Sequence, residues 1–282
     1  MNYPLEEDYK FHSIAQIQQR AHEDRYNSFC FSSSKCKFRC YCIFDGHGGS
    51  LKMGPTHIAD YCIENLHHRL VRGLVANYSD DVNINIKTII NIFAYFDIEM
   101  YKLYLESKLM YGTTCTMILI DVDKNKIYQV NLGDSKSIIF KDGIILSETK
   151  DHNPKDEIER ARILKSGSFI LHDRIKGDLA VSRGFGDYVY KRVITETDDV
   201  FEPINGSVSC IPDIKVLDVV DNMYIILTSD APYENPLLTS QALVDMFNTY
   251  YPKNNLDDTA RAMTYNIAEN STDDTTIIIV KV

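Results

Sequence analysis

The sequence of 282 residues has no apolar run long enough to cross a bilayer and no recognisable targeting segment. Its longest apolar runs, at 117–120 and 277–280, have only the length of β-strands. The first eight residues are acidic and residue 2 is Asn, so we expect neither a secretion signal nor a lipid anchor. We therefore predict a cytoplasmic protein with no membrane partner, and the nucleus stays open as a second location.

Basic residues are in deficit. There are 30 Lys and Arg against 40 Asp and Glu, which gives a net charge of −10. A protein that binds duplex nucleic acid usually carries the opposite sign, so we expect no nucleic-acid partner. An excess of carboxylates suits a cation site, although an acidic surface explains it equally well. Hydrophobic residues at 44% and charged residues at 25% exclude wholesale disorder.

Seven cysteines, an odd number, are typical of a reducing compartment. Four of them, Cys30, Cys36, Cys40 and Cys42, lie close together and raise the question of a zinc site. Their spacing lacks the short paired gaps that structural zinc sites favour. Because Cys40 and Cys42 alternate in an apolar run, we interpret them as core residues of a strand.

The chain shows no internal repeat and no proline-rich linker, so we predict one domain over residues 1–282. Alternating and apolar runs predict ten strands separated by polar turns. These lie at 11–17, 26–31, 39–44, 114–121, 126–131, 137–140, 144–147, 214–218, 224–229 and 275–282.

Five helices are predicted between these runs of strands. The first has an apolar stripe at Ile58, Cys62, Leu66 and Leu70. The apolar face of the second is formed by Ile86, Ile89, Ile90, Phe93, Phe96, Met100 and Leu103. The third is expected to begin near Pro154 and end at Lys165, before Gly167, and the last two lie near 240–248 and 257–268. Strands in runs and helices in pairs predict an α+β fold with antiparallel sheets.

Acidic residues recur where a predicted strand ends or in the turn beside it: Glu23, Asp24, Asp45, Asp134, Asp230 and Asp273. A carboxylate beside a buried strand is costly unless it is exposed, paired or bound to a cation. An Asp-Gly pair such as 45–46 is by itself more often an ordinary turn. The whole set is more informative, because hard oxygen ligands suit Mg²⁺ or Mn²⁺.

These residues stand within motifs that resemble the protein phosphatase 2C family of metal-dependent serine/threonine phosphatases. The most specific are the segments FDGHGG at 44–49 and GDLAVSRGFGD at 177–187. The pair at 23–24 and the segments at 111–114, 132–136, 151–160, 211–213, 229–230 and 271–274 follow in the family's order. The resemblance covers nearly the whole chain and implies a four-layer α-β-β-α sandwich.

The resemblance also implies two metal ions, Mg²⁺ or Mn²⁺, between the central sheets, and a third, weaker ion. Asp45 would bridge the two ions and Gly46 would offer its carbonyl, while Asp230 and Asp273 would hold one ion. Glu23 and Asp24 would act mostly through water, and Asp134, with Asp230, matches the third-ion position. Two close cations acidify a shared water and clamp a phosphoryl group, so no covalent intermediate is needed. The chain accordingly has no Cys-x₅-Arg loop. His47 is the candidate general acid.

The sequence departs from the family at four places. The family's phosphate-binding Arg position is Gln19, and Arg20 is one residue late, so we assign Arg20 to phosphate on the expectation of a bulge in the strand. Ala231-Pro232 replaces a glycine after Asp230, and we expect extended backbone at Ala231 and a reshaped loop. Glu234 replaces an Asp, and Asp274 replaces an Asn.

We therefore predict a monomeric Mg²⁺- or Mn²⁺-dependent phosphatase that acts on phosphoserine and phosphothreonine in proteins. The first alternative is a pseudophosphatase that binds and regulates partners, which the changes near Arg20 and Asp230 would favour. The second is a hydrolase of small phosphoesters, because the fold does not fix the substrate.

Overall fold

A computed structural model describes residues 12–19, 22–48, 56–104, 111–194, 199–201 and 203–282. The strands are β1 His12–Ile17, β2 Arg25–Ser32, β3 Lys37–Phe44, β4 Gly46–His47, β5 Gly112–Thr113, β6 Cys115–Asp121, β7 Lys126–Leu132, β8 Lys136–Lys141, β9 Ile144–Glu148, β10 Ile170–Leu171, β11 Arg174–Ile175, β12 Phe185–Gly186, β13 Arg192–Ile194, β14 Asp199–Phe201, β15 Asp213–Asp218, β16 Met223–Thr228 and β17 Thr275–Lys281. The helices are α1 Thr56–Asn77, α2 Val82–Tyr104, α3 Glu157–Lys165, α4 Ser240–Tyr250 and α5 Leu256–Ala268.

Two five-stranded antiparallel sheets form the centre of the fold. One has the order β1-β17-β16-β8-β9 and the other the order β15-β7-β6-β3-β2. Neighbouring strands are antiparallel throughout both sheets. All ten predicted long strands are present, within one or two residues of the expected bounds.

The two sheets pack face to face and each carries a pair of helices on its other face. The core between them is aliphatic, with Ile43 and Ile118 from one sheet meeting Leu227 and Ile278 from the other. The helices α1 and α2 pack on the sheet that contains β3, and α4 and α5 on the sheet that contains β17. Because both faces of the inner strands are covered, β6 is buried along its whole length, and five of its seven residues are apolar. The predicted four-layer sandwich is confirmed.

The helices differ from prediction in two details. The helix α3 begins at Glu157 rather than near Pro154, because the Asp156 side chain accepts from the N–H groups of Ile158 and Glu159 and caps it there. Leu103, predicted on the buried face of α2, is exposed because it lies in the last turn, beyond the buried Met100. Gly167 follows α3 with φ of 81°, as a helix stop requires. Within the described ranges, no helix has the length and apolar character needed to cross a membrane.

A small three-stranded sheet, β12-β5-β4, joins segments that are far apart in sequence. Gly46 and His47 of β4 pair with Thr113 and Gly112 of β5. The same two residues of β5 pair on their other side with β12, Thr113 with Phe185 and Gly112 with Gly186. The family-like segments at 44–49 and 177–187 therefore meet at this sheet.

All seven cysteines are buried and carry free thiols. Cys40 and Cys42 lie in β3 and pack in the core beneath α1 and α2. Burial raises the pKa of both thiols, which keeps them protonated and apolar in character. The interpretation of these two residues as strand core is confirmed.

Candidate metal centre

One cavity of about 440 Å³ gathers acidic candidate ligands from five separate segments of the chain. The candidate ligands that line it are Glu23 before β2, Asp45 after β3, Asp134 after β7, Asp230 after β16 and Asp273 before β17. Gly46 and His47 line the same cavity. Asp24 is buried and is not a lining residue, and its Oδ2 accepts from the Thr276 hydroxyl at 2.6 Å. The structure thus brings seven of the predicted residues to one cavity. Asp24, the residue after Glu23, is buried outside the lining.

The backbone of Asp45 is fixed by two threonines, Thr113 at the end of β5 and Thr114 directly after it. Its carbonyl accepts from the Thr114 N–H at 2.9 Å and from the Thr113 hydroxyl at 3.0 Å. Its N–H donates to the Thr114 hydroxyl oxygen at 3.2 Å. Three hydrogen bonds thus fix the backbone from which the Asp45 side chain extends at the end of β3.

The loop after Asp230 does not have the extended backbone expected at Ala231. Residues Ala231–Glu234 form a 3-10 turn, in which the Tyr233 N–H donates to the Asp230 carbonyl at 2.8 Å. Pro232 fits because its fixed φ suits a first helical turn, where its missing N–H would be unpaired in any case. The Asp230 N–H donates to Asp45 Oδ2 at 3.4 Å, so the altered loop still keeps Asp230 beside Asp45.

Glu234 links the Asp230 loop to the segment that carries Asp273. Its Oε2 accepts from the Ser271 hydroxyl at 2.6 Å and from the Thr272 N–H at 3.1 Å. A longer carboxylate than the family's Asp therefore serves as a tie between two loops that each present a candidate ligand.

The turn that carries Glu23 and Asp24 is held from both sides. Arg25 pairs with Asp60 of α1 at 2.6 Å and donates to the carbonyls of His22 and Asp24. Arg25 therefore fixes this turn through three contacts.

The family's phosphate-binding position, Gln19, has a structural role here. Its side-chain amide donates to the carbonyls of Ala268 and Ser271 at 2.8 and 3.1 Å. The strand β1 ends at Ile17, so strand alternation does not decide the direction of the next residues. Arg20 lies outside the described residues.

Burial and mutual repulsion raise the pKa of these carboxyl groups. Burial raises the pKa of Glu23 to about 7, with Asp273 adding to it, and burial also raises the pKa of Asp24 to about 7. The pKa of Asp134 rises to about 6, first through burial and then through Asp151. The pKa values of Asp45 and Asp230 are raised well above the ordinary range by burial and by the neighbouring acids.

The donor set fits a hard divalent cation. Across the described ranges, none of the six predicted acidic ligands forms an ion pair with Lys or Arg. As these side chains stand, no three His, Cys, Asp or Glu of the described chain already form a compact ligand cluster. Mg²⁺ or Mn²⁺ neutralises, through oxygen ligands, carboxylates that repel one another and that form no ion pair with Lys or Arg in the described ranges.

His47 contacts an acid that sequence analysis did not single out. Its Nε2 lies 2.7 Å from Oδ2 of the fully buried Asp187. Burial disfavours charge on the imidazole, but Asp187 outweighs this effect and the pKa of His47 is raised. The only sequence signal was the position of Asp187 at the end of the segment 177–187, after two glycines that permit close backbone approach.

Another part of the cavity wall is formed by the segment that contains β11 and the residues after it. Arg174, Asp178 and Tyr190 line it together with the apolar side chains at 179–181. Arg174 donates to the Asp178 carbonyl at 2.6 Å and is exposed, and the Tyr190 hydroxyl donates to the Asp178 carboxylate at 2.7 Å. The sequence indicated Arg20 as the arginine for the phosphate. Arg174, which lines the cavity, is a second candidate.

A family model described as Protein phosphatase 2C matches residues 10–275. The chain belongs to the protein phosphatase 2C family. The match covers most of the chain and confirms the resemblance that the motifs indicated.

Relatives and solved structures agree with this membership. The chain is 30% identical over 216 residues to protein phosphatase 2C homolog 2 of Saccharomyces cerevisiae, a match that covers 76% of this chain and 43% of the relative. It is 28% identical over 208 residues to protein phosphatase 2C homolog 3 of Schizosaccharomyces pombe, covering 73% of this chain and 45% of the relative. The matches thus span less than half the length of either relative.

The fold matches that of a phosphatase from Toxoplasma gondii, with a TM-score of 0.77. The identity is 19%, and the match covers 96% of this chain and 93% of that structure. A likeness at this identity establishes a shared fold.

Proposed function

We propose that this protein is a protein serine/threonine phosphatase that uses two Mg²⁺ or Mn²⁺ ions, with a third weaker ion, to hydrolyse phosphoserine and phosphothreonine. The observation that carries the proposal is the cavity lined by five candidate carboxylate ligands that form no ion pair with Lys or Arg within the described residues. Family membership supports the same chemistry. The proposal includes the number of ions and the residues that hold them.

The carboxylates take the roles that their positions support. Asp45, fixed by Thr113 and Thr114, would bridge the two ions with help from the Gly46 carbonyl. Asp230 and Asp273, whose loops are tied by Glu234, would hold one ion, and Glu23 and Asp24 would act through water. Asp134 and Asp230 would hold the third ion. When bound, the ions supply positive charge that acidifies water and neutralises phosphate oxygens.

Two further side chains would act on the substrate itself. His47 would donate a proton to the departing serine or threonine oxygen, which is a poor leaving group without one. Arg174 lines the same cavity, and its guanidinium would pair with phosphate oxygens or with the peptide beside them. Arg20 remains in the proposal as the family's phosphate-binding cation, displaced by one residue.

The remaining features of the proposal concern the protein as a whole. We propose one domain and a monomer, with phosphorylated proteins as partners. The seven buried free thiols support a reducing compartment such as the cytoplasm.

The proposed phosphatase activity is tested by hydrolysis of two substrates, a phosphothreonine peptide and p-nitrophenyl phosphate. Each is assayed with Mn²⁺, with Mg²⁺ and with excess chelator. We expect both substrates to be hydrolysed with either metal and neither with chelator. Binding of phosphoproteins without hydrolysis would instead support the pseudophosphatase. Hydrolysis of p-nitrophenyl phosphate without hydrolysis of the peptide would support a hydrolase of small phosphoesters.

A further inference from the structure

The His47 ring contacts a carboxylate that has no part in the proposed function. His47 Nε2 and Asp187 Oδ2 lie 2.7 Å apart, and the side chain of Asp187 is fully buried. We infer, resting on the proposed function, that Asp187 is the positioning residue of the general acid. It holds the ring through Nε2, so that Nδ1 is the nitrogen that releases a proton to the leaving oxygen.

The backbone between the two residues is shaped to permit this contact. His47 of β4 and Gly186 of β12 pair with opposite edges of Gly112, the residue between them in the small sheet. A Cβ at position 112 would lie 2.1 Å from Asp187 Oδ2 and 2.6 Å from His47 Nε2. Only glycine leaves room at this point, so the imidazole and the carboxylate meet over a residue that has no side chain.

The backbone of Asp187 is held in an uncommon conformation. Its φ is 51°, in the left-handed region, and its N–H donates to the Tyr111 carbonyl at 2.7 Å. Such a conformation persists when the surroundings determine it strongly, and it is often found at functional sites.

A buried ion pair provides that support from α2. Asp97 Oδ2 pairs with the Lys191 ammonium at 2.7 Å, and both side chains are fully buried. Asp97 Oδ1 accepts from the Gly186 N–H at 3.0 Å, and Lys191 donates to the Gly184 carbonyl at 2.8 Å. These bonds clamp the segment on both sides of Asp187, and they connect the direction of its carboxylate to a rigid helix.

The chemistry of the two groups determines which nitrogen is held. A carboxylate only accepts hydrogen bonds, so His47 donates through Nε2 in either protonation state of the ring. Within the described residues, Asp187 Oδ1 has no hydrogen-bond partner and no Lys or Arg pairs with this carboxylate. His47 is therefore the side chain that Asp187 serves, and Nδ1 is the nitrogen left for the cavity.

The role of Asp187 is tested by the turnover of Asp187→Asn and Asp187→Ala on two substrates that have different leaving groups. We expect kcat on a phosphothreonine peptide to fall by about 10²-fold or more, the scale of general-acid catalysis. Turnover of p-nitrophenyl phosphate should change little, because nitrophenolate leaves without a proton. Asp121→Asn is the matched control, since Asp121 is a buried acid outside the cavity lining that accepts from the Tyr78 hydroxyl. It should leave both activities unchanged.

A double variant separates positioning from a general structural effect. In His47→Gln, the further change Asp187→Asn should cost nothing more on the peptide, because the two residues act as one unit. Equal losses on both substrates, or additive losses in the double variant, would overturn the inference.

A nitrogen-15 spectrum of histidine-labelled full-length protein with Mg²⁺ tests the geometry without any activity. With the resonances assigned through His47→Gln, the neutral His47 ring should carry its proton on Nε2 in the wild type. It should lose that preference in Asp187→Ala. Gly112→Ala should also remove the preference for a proton on Nε2. This variant allows the geometry to be tested if the Asp187 variants do not fold.

The two proposals fail in different ways. If the wild type hydrolyses neither substrate, the proposed function fails, while the spectrum still decides whether Asp187 holds the ring. An unchanged Nε2 proton in Asp187→Ala would overturn the inference even in an active enzyme.

Discussion

Asp274 holds the N–H of Glu23 at 2.7 Å through one carboxylate oxygen, and through the other it holds the N–H of Gln19 at 2.6 Å. The family's Asn at this position has one acceptor oxygen in place of two, and its NH2 group could not accept the second N–H. Asp274 thus closes the turn between β1 and β2 from both ends. Two departures from the family pattern, Gln19 and Asp274, are in direct contact.

Asp274→Asn should loosen this turn and weaken metal binding. One backbone N–H would lose its partner at a half-buried position, and a negative charge near Glu23 and Asp24 would disappear. We expect the Mn²⁺ dissociation constant, measured by titration calorimetry, to rise about tenfold. Glu269→Gln, at an exposed acid just after α5, is the control. An unchanged constant in Asp274→Asn would mean that the turn does not depend on this carboxylate.

Without metal, the protein should become less stable as the pH rises from about 4.5 to about 7. Burial raises the pKa of Glu23 and of Asp24 from ordinary values to about 7, so the folded chain binds more protons than the unfolded chain in this range. Stability then falls with rising pH until both groups are ionised, near pH 8. Thermal unfolding with chelator should therefore show a higher Tm at pH 5.5 than at pH 8. Mn²⁺ should raise the Tm more at pH 8, and a chelator curve that rises over this range would contradict the assignment.

Arg174→Ala and Arg20→Ala should act mainly on KM. A guanidinium that binds phosphate oxygens stabilises substrate and transition state alike, so its loss raises KM more than it lowers kcat. We expect a KM for the phosphopeptide that is raised several-fold in each variant, and no change in Arg160→Ala, which removes an exposed arginine of α3. The variant that leaves KM unchanged identifies an arginine outside the phosphate site.

The buried pair of Asp97 and Lys191 should matter strongly for stability. Removing one partner of a fully buried ion pair leaves the other charge without compensation, at a cost of about 3–5 kcal/mol. Lys191→Met should lower the free energy of unfolding by about this amount in denaturant titrations. Lys124→Met, at an exposed pair with Asp80, should cost far less, because solvent screens that pair. Similar values for the two variants would contradict the structural role of the buried pair.

The long elements of the fold could be predicted because their sequences carry a strong period. The stripe from Ile58 to Leu70 and the apolar run of β6 each report which faces are buried. The two-residue strands β4, β5 and β12 could not be predicted, since two residues show no period and their pairing depends on tertiary contacts. The burial of Asp97 was also invisible, because its partner Lys191 lies 94 residues away.

The candidate site was predicted to the extent that its residues stand in ordered motifs at strand ends. Asp45, Asp134, Asp230 and Asp273 reach one cavity because strands of both sheets end there. Asp187 and Arg174 escaped prediction, because the roles proposed for them arise from the small sheet and from the wall of the cavity. The expectation at Ala231 was wrong because a 3-10 turn accommodates Pro232 as well as an extended segment does.

The metal centre built on Asp45 is tested most directly by calorimetric titration of Mn²⁺ into the wild type and Asp45→Asn. Hydrolysis of the phosphothreonine peptide is assayed on the same samples. Asp45 is the proposed bridge, so its loss leaves two close cations without their shared carboxylate. The wild type should bind at least two ions and hydrolyse the peptide. Asp45→Asn should stay folded, lose at least one ion and lose metal-stimulated hydrolysis. An Asp45→Asn protein that binds two ions as tightly and turns over the peptide as fast as the wild type would contradict a metal centre built on this carboxylate.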